Sequence, residues 1–163
     1  MRSSSELRFF YFLQHMEREK TAVFIGHSNC DLSIEKISPV IEGEIKNGVK
    51  YFLNGGQGAF DRLCARAVYN LKSKYPDIKN ILVIPYSNFK IFDKSLFDEI
   101  ISPNIDYNSK KAYKSAIPRR NKYMIENACT AICYINHISG GAYKTYKLAE
   151  KKNLFVINIS IEK

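Results

Sequence analysis

Tryptophan is absent from this chain of 163 residues, proline occurs five times and glycine eight, and no apolar run is long enough to cross a membrane. The nearest approach, Leu7 to Leu13, is too short and too interrupted for an anchor, and no small-residue cleavage site follows it. No membrane partner and a cytoplasmic location are therefore expected. Cys30, Cys64, Cys129 and Cys133 show neither a C-x-x-C pair nor a framework spacing, which argues for reduced thiols over a disulfide scaffold. The three histidines, His15, His27 and His137, add no metal-ligand spacing, so no metal and no cofactor are expected. Repeats and low-complexity tracts are missing too. The length then allows one packed core over residues 21–163, preceded by an extension, residues 1–20, that is either helical or weakly ordered.

What is present is an excess of positive charge and a regular alternation of patterns. Lys and Arg number 25 against 16 acids, a net charge of +9. Between Asp106 and Glu126 no acid occurs, whereas Lys110, Lys111, Lys114, Arg119, Arg120 and Lys122 do. Such a run suits either an anionic partner or a solvated helix face. Apolar stretches over residues 21–26, 49–54, 81–84, 131–136 and 154–159 read as strands. Between them, Ile34, Ile37, Ile41 and Ile45 recur at helical spacing, as do Phe60, Leu63, Cys64, Ala67, Val68 and Leu71. Further helices are predicted near Phe92 to Ile101, over 111–129 and over 141–152, with a loop around Ser102-Pro103-Asn104. This alternation predicts an α/β, Rossmann-like fold: an open, mainly parallel sheet of about five strands with helices on both faces.

Three of those strands end in glycine-bearing turns that open helices: Gly26-His27-Ser28-Asn29, Asn54-Gly55-Gly56-Gln57-Gly58 and Ser139-Gly140-Gly141-Ala142. A strand that gives way to a helix through paired glycines leaves backbone N–H groups facing outward, a pattern suited to phosphate. Singly, such glycines equally serve tight turns; together, on parallel strands, they would open on one crevice. Near them, Ser139 can cap its helix and Thr145 can offer a hydroxyl. Asp61 can complement the dipole of its helix or accept from ribose hydroxyls. Arg120 shares a helix face with Tyr123, Met124 and Asn127, so a buried guanidinium there would call for an anion, and Asn121 stands beside it.

The motifs Phe24-Ile25-Gly26-His27, Asn54 through Asp61, Ile84-Pro85-Tyr86, Arg119-Arg120-Asn121-Lys122-Tyr123-Met124 and Gly140 through Thr145, in this order, resemble the SLOG superfamily. That group takes its name from the DNA-processing protein Smf/DprA and the cytokinin-activating LOG enzymes. The chain looks nearest to its YpsA-like branch, found in bacteria and their phages, from about Thr21 to Ile159. The resemblance implies a nucleotide or nucleotide-derived ligand at the strand ends, with Pro85 and Arg119 added to the candidate site, and it suggests a homodimer.

Three functions follow as expectations. The first is binding, for sensing or sequestration, of such a ligand. The second is LOG-like hydrolysis of the N-glycosidic bond of a nucleoside monophosphate, with Asp61 or Glu150 as the catalytic carboxylate. Against it, Ser139, Tyr143 and Lys147 stand where the LOG glycine loop carries proline, its third glycine and an acid. A lysine opposes the positively charged sugar of that reaction. The third is binding of single-stranded DNA as in DprA-like proteins, with Tyr107, Tyr113 and Tyr123 stacking bases among the lysines.

Overall fold

Residue 1 and residues 3–103 and 110–160 are described by the computed structural model, without the side chains of residues 5, 8–10, 13, 110 and 111. Six strands form one parallel sheet: β1 (Thr21–Gly26), β2 (Tyr51–Asn54), β3 (Lys79–Val83), β4 (Glu99–Ile101), β5 (Thr130–Tyr134) and β6 (Phe155–Asn158), in the order β4-β3-β2-β1-β5-β6. Three successive strands, β2, β3 and β4, step outward from β1 in one direction, and β5 then returns to its other side. The reversal falls between β1 and β5, where Ala22 pairs with Thr130 and Gly26 with Tyr134. An open α/β sheet has its crevice at the carboxyl ends of the strands flanking such a point.

The two faces of the sheet are covered separately because side chains alternate along each strand. From β1, Ala22 and Phe24 join Phe52 and Ile132 under α2 (Ile34–Lys46) and α3 (Gly58–Leu71), with Ile37, Ile41, Phe60, Cys64 and Val68. Val23 and Ile25 point the other way and join Leu53, Ile81 and Ala131 under α5 (Ala116–Glu126) and α6 (Gly140–Lys151), with Met124, Ile125 and Ala149. Phe24 stacks on Phe52, with centroids 5.8 Å apart, and meets the edge of Phe60. Burial on both faces explains why the strands read as continuous apolar runs.

Two expectations change. The helix predicted near Phe92 to Ile101 is instead a 3₁₀ turn, Lys94–Leu96, followed by β4. Tertiary partners decide it: the Asp98 carboxylate accepts from the Asn80 N–H at 2.8 Å and pairs with Lys72, while Asn80 Nδ2 donates to the carbonyls of Leu96 and Ala65. The helix predicted over 111–129 is broken into α4 (Lys110–Lys114) and α5 at Ser115. In one continuous helix the Pro118 ring would clash with the carbonyl of Lys114. The loop expected around Ser102-Pro103-Asn104 and the candidate Tyr107 fall partly or wholly outside the described residues.

Within the N-terminal segment, α1 (Ser4–His15) begins with a capping box between Ser3 and Glu6. Its Phe12 packs edge-on against Tyr51, and the Tyr51 hydroxyl donates to the His15 carbonyl. Tyr51 opens β2, so this contact lies at the amino end of the sheet, away from the crevice. No helix among the described residues is long and apolar enough to cross a membrane.

Asn80 is fully buried and its amide serves two carbonyls from different elements. Asn80→Ala should lower stability by about 2–3 kcal/mol, because both carbonyls lose their partner. Urea unfolding of the two proteins checks this; an unchanged midpoint would contradict it.

Candidate functional site

The sheet's point of reversal opens into a cavity of about 570 Å³. Its walls come from all three glycine junctions. Gly26 ends β1 and His27, Ser28 and Asn29 follow it, Gly55 and Gln57 follow β2, and Gly140, Gly141 and Ala142 open α6. Asp61 from α3, Arg120 and Asn121 from α5 and Thr145 from α6 complete the expected set that the fold brings together. Gly56, Gly58, Pro85, Arg119 and Ser139 do not line it. Glu150 faces a second, shallower hollow beside β6, where Lys147 binds its carboxylate at 2.5 Å.

The junctions are tied to each other. Ala59 N–H donates to the Ser28 carbonyl at 2.8 Å, joining the first junction to the second. Gly58 makes this approach possible: at φ +84° a side chain would be strained, and its Cβ would lie 2.6 Å from Ser28 Cα. Within the second junction, Asn54 is fully buried; it accepts from the Gly56 N–H and donates to the Asp61 carbonyl. The third junction is reached from α5. Asn121 Nδ2 donates to Thr145 Oγ1 at 3.1 Å, and that hydroxyl donates to the Gly141 carbonyl at 2.9 Å.

Arg120 is 2% exposed, as its place on the apolar face of α5 predicts, but its partners are not anions. Nη1 donates to the carbonyls of Gly55 and Val83, both at 2.7 Å, Nη2 to Gln57 Oε1 at 2.8 Å and Nε to Asn121 Oδ1 at 2.8 Å. Neutral oxygens from the ends of β2 and β3 hold the guanidinium, and burial lowers its pKa to about 10. Asp61 is its charged neighbour. The carboxylate accepts from the Gln57 N–H at 2.8 Å, capping its own helix, while also facing the cavity. Burial pushes that carboxyl up to about 7, against the Gln57 N–H and the Arg120 charge, which both pull it down.

Other expected roles shift. Ser139 makes no side-chain cap of α6; its hydroxyl meets His137 Nδ1 at 3.0 Å. Arg119 is exposed and donates to the Ala112 carbonyl. Tyr123 packs against the core with its hydroxyl buried and unpaired, whereas Tyr113 is 52% exposed. Six wall residues escaped the sequence reading: Phe24, Ile25, Ile117, Met124, Asn136 and His137. Met124 was recoverable, since it lies one turn from Arg120; nothing in the spacing marks His137. No group of three or more potential metal ligands occurs among the described residues.

The family model described as YpsA, the YspA SLOG family, matches residues 26–159, and the chain belongs to that family. No curated protein matches it. Among solved structures, DNA processing protein A from Streptococcus pneumoniae is similar with a TM-score of 0.59 and 18% identity, covering 85% of this chain and 49% of that one. DNA processing protein A from Helicobacter pylori, described as having a unique single-stranded DNA binding mode, gives 0.56 and 19%, covering 83% and 64%. The chain thus spans less than two thirds of the length of either, and at these identities the likeness is one of fold.

Two consequences are measurable. Arg120→Ala strands carbonyls from two strand ends and should cost about 3 kcal/mol or more in urea unfolding; a loss below about 1 kcal/mol would contradict the bonding described. Folded Asp61 keeps its proton to about pH 7, whereas an unfolded one loses it near 3.8. The native state therefore binds more protons in that interval, and wild-type stability falls as pH rises through it. Asp61→Asn keeps an acceptor for the Gln57 N–H without the charge. Its advantage over wild type should grow by on the order of 2–4 kcal/mol between about pH 4 and pH 8. Thermal unfolding across that range checks it, parallel profiles being the contrary result.

Proposed function

We propose that this member of the YpsA family binds an anionic nucleotide or nucleotide-derived ligand in the cavity at the carboxyl ends of the strands, for sensing or sequestration. The observation that carries the reading is convergence: three glycine junctions, far apart in sequence, line one hollow with Asp61 and Arg120. The amino ends of α3 and α6 both adjoin it, and the positive end of a helix dipole favours phosphate. Burial raises the carboxyl of Asp61, the acid in the wall, to about 7, so at neutral pH it is about half protonated and opposes an anion less than an ordinary carboxylate would. The ligand's uncharged part has the apolar wall of Ile117 and Met124.

Hydrolysis of a nucleoside monophosphate is the enzymatic alternative. Of its two candidate carboxylates only Asp61 lines the cavity, so base release abolished by Asp61→Asn would support it. No release at high protein concentration would remove it. Binding of single-stranded DNA is a further reading, favoured by the fold shared with the Helicobacter pylori protein and by the net charge of +9. It predicts a mobility shift of single-stranded DNA that weakens steeply with salt. Cytoplasmic location and a homodimer belong to the same proposal, the latter testable by light scattering.

Gly141 offers a clean test of ligand binding. A Cβ there would meet nothing within 4 Å, and glycine costs a helix roughly 0.5–1 kcal/mol relative to alanine. Gly141→Leu should leave stability equal or slightly higher and weaken, at least tenfold, the calorimetric binding of whichever member of a nucleotide and NAD-metabolite panel the wild type takes up. A panel that binds neither protein, or binds both equally, would contradict the site.

A further inference from the structure

His27, just past β1, and His137, past β5, stack face to face in the cavity wall, with ring centroids 3.5 Å apart and 16° between planes. His27 is 6% exposed; its backbone N–H donates to the Tyr134 carbonyl, and its Nε2 lies 3.2 Å from the His137 carbonyl. A carbonyl only accepts, so Nε2 carries a proton in either state and Nδ1 is the atom that gains or loses one. His137 Nδ1 is engaged with the Ser139 hydroxyl, at the mouth of α6.

The pair is poor at holding charge unaided. Two imidazolium rings in van der Waals contact repel, and burial penalises the charged form of the inner one. Both effects lower the pKa of His27 below 6.5, burial being the larger and His137 the second. Other charged groups around it are spoken for. Asp31, on the loop after β1, is bound by the Tyr134 hydroxyl; Asp61 from α3 and Arg120 from α5 hold the partners described above. An anion in the cavity reverses the balance, because it attracts each imidazolium and offsets their repulsion.

We propose that the His27–His137 stack is a proton-coupled anion subsite: seating a phosphate-bearing ligand draws a proton onto the pair, so affinity rises as pH falls. The inference rests on the ligand-binding reading above and adds its regulation. The sign follows from linkage. A group whose pKa is higher in the complex than in the free protein takes up a proton on binding, so affinity grows between the two pKa values and is flat outside them. A protein acting this way would release its ligand on alkalinisation and hold it in acid.

Sulfate is the probe, since it has the shape of phosphate and does not titrate between pH 5.5 and 8. Calorimetry in buffers of different ionisation enthalpy should show proton uptake, with affinity rising about tenfold as pH falls through this range, one pKa unit being a factor of ten. Asp61 also titrates there, so the variants separate the two sources. Asp61→Asn should retain the histidine component, whereas His137→Gln, at an exposed position, and His27→Gln should each flatten it. Proton NMR supplies a second reading: on adding sulfate, the imidazole resonances of His27 should titrate at higher pH. Nucleotides that bind without sulfate binding, or with a pH profile unchanged in both histidine variants, overturn this inference and leave the reading above intact. Absence of all binding overturns both.

Discussion

The guanidinium of Arg120 is the interaction on which the crevice depends. It reaches the ends of β2 and β3 at Gly55 and Val83, grips Gln57, and passes through Asn121 to Thr145 and the Gly141 carbonyl. One side chain thus coordinates the second and third glycine junctions, and the Ala59 to Ser28 bond adds the first. Fully desolvated donors demand acceptors, and two of the four here are the carbonyls of Gly55 and Val83, backbone groups that a loop at a strand end would otherwise leave unsatisfied. The same demand explains Gly55, where any Cβ would lie 3.1 Å from the guanidinium carbon. Loop shape and arginine burial are two sides of one constraint.

Given that frame, the polar character of the cavity becomes intelligible. Its arginine spends its hydrogen bonds on the fold, burial raises its aspartate to about 7, and its histidines crowd one another. Arg120 stays cationic at neutral pH, and on the proposed reading backbone N–H groups and protons taken up with the ligand add to its attraction for an anion. On the proposed reading such a site answers to pH, whereas one lined by lysines would not. Membership of the YspA SLOG family and the fold shared with DNA processing protein A fit a crevice at this position without choosing its ligand.

Much of this was legible in the sequence, for identifiable reasons. The continuous apolar runs of β1, β3 and β5 mark strands buried on two faces, and the stripe from Phe60 to Leu71 marks a helix against them. Arg120 could be judged buried from its neighbours Met124 and Tyr123 on the helix. Its partners could not, because carbonyl directions at the ends of β2 and β3 exist only once the sheet is assembled. β4 was missed since three residues carry no period, and it forms through Asp98 and Asn80. Ser139 lies beside the right loop yet turns toward His137, and Glu150, at the far end of α6, faces Lys147 over another hollow; spacing alone encodes neither. His137 gave no signal because its partner, His27, is 110 residues away.

The central claim is that separate turns act as one binding surface, and amide NMR tests it most directly. On titrating in the nucleotide that binds, the backbone N–H signals of residues 26–29, 55–58 and 139–142 should shift together with a single dissociation constant, accompanied by the Arg120 Nε–H. Shifts confined to one turn, or gathered instead on the basic face around Lys114 and Arg119, would contradict the account.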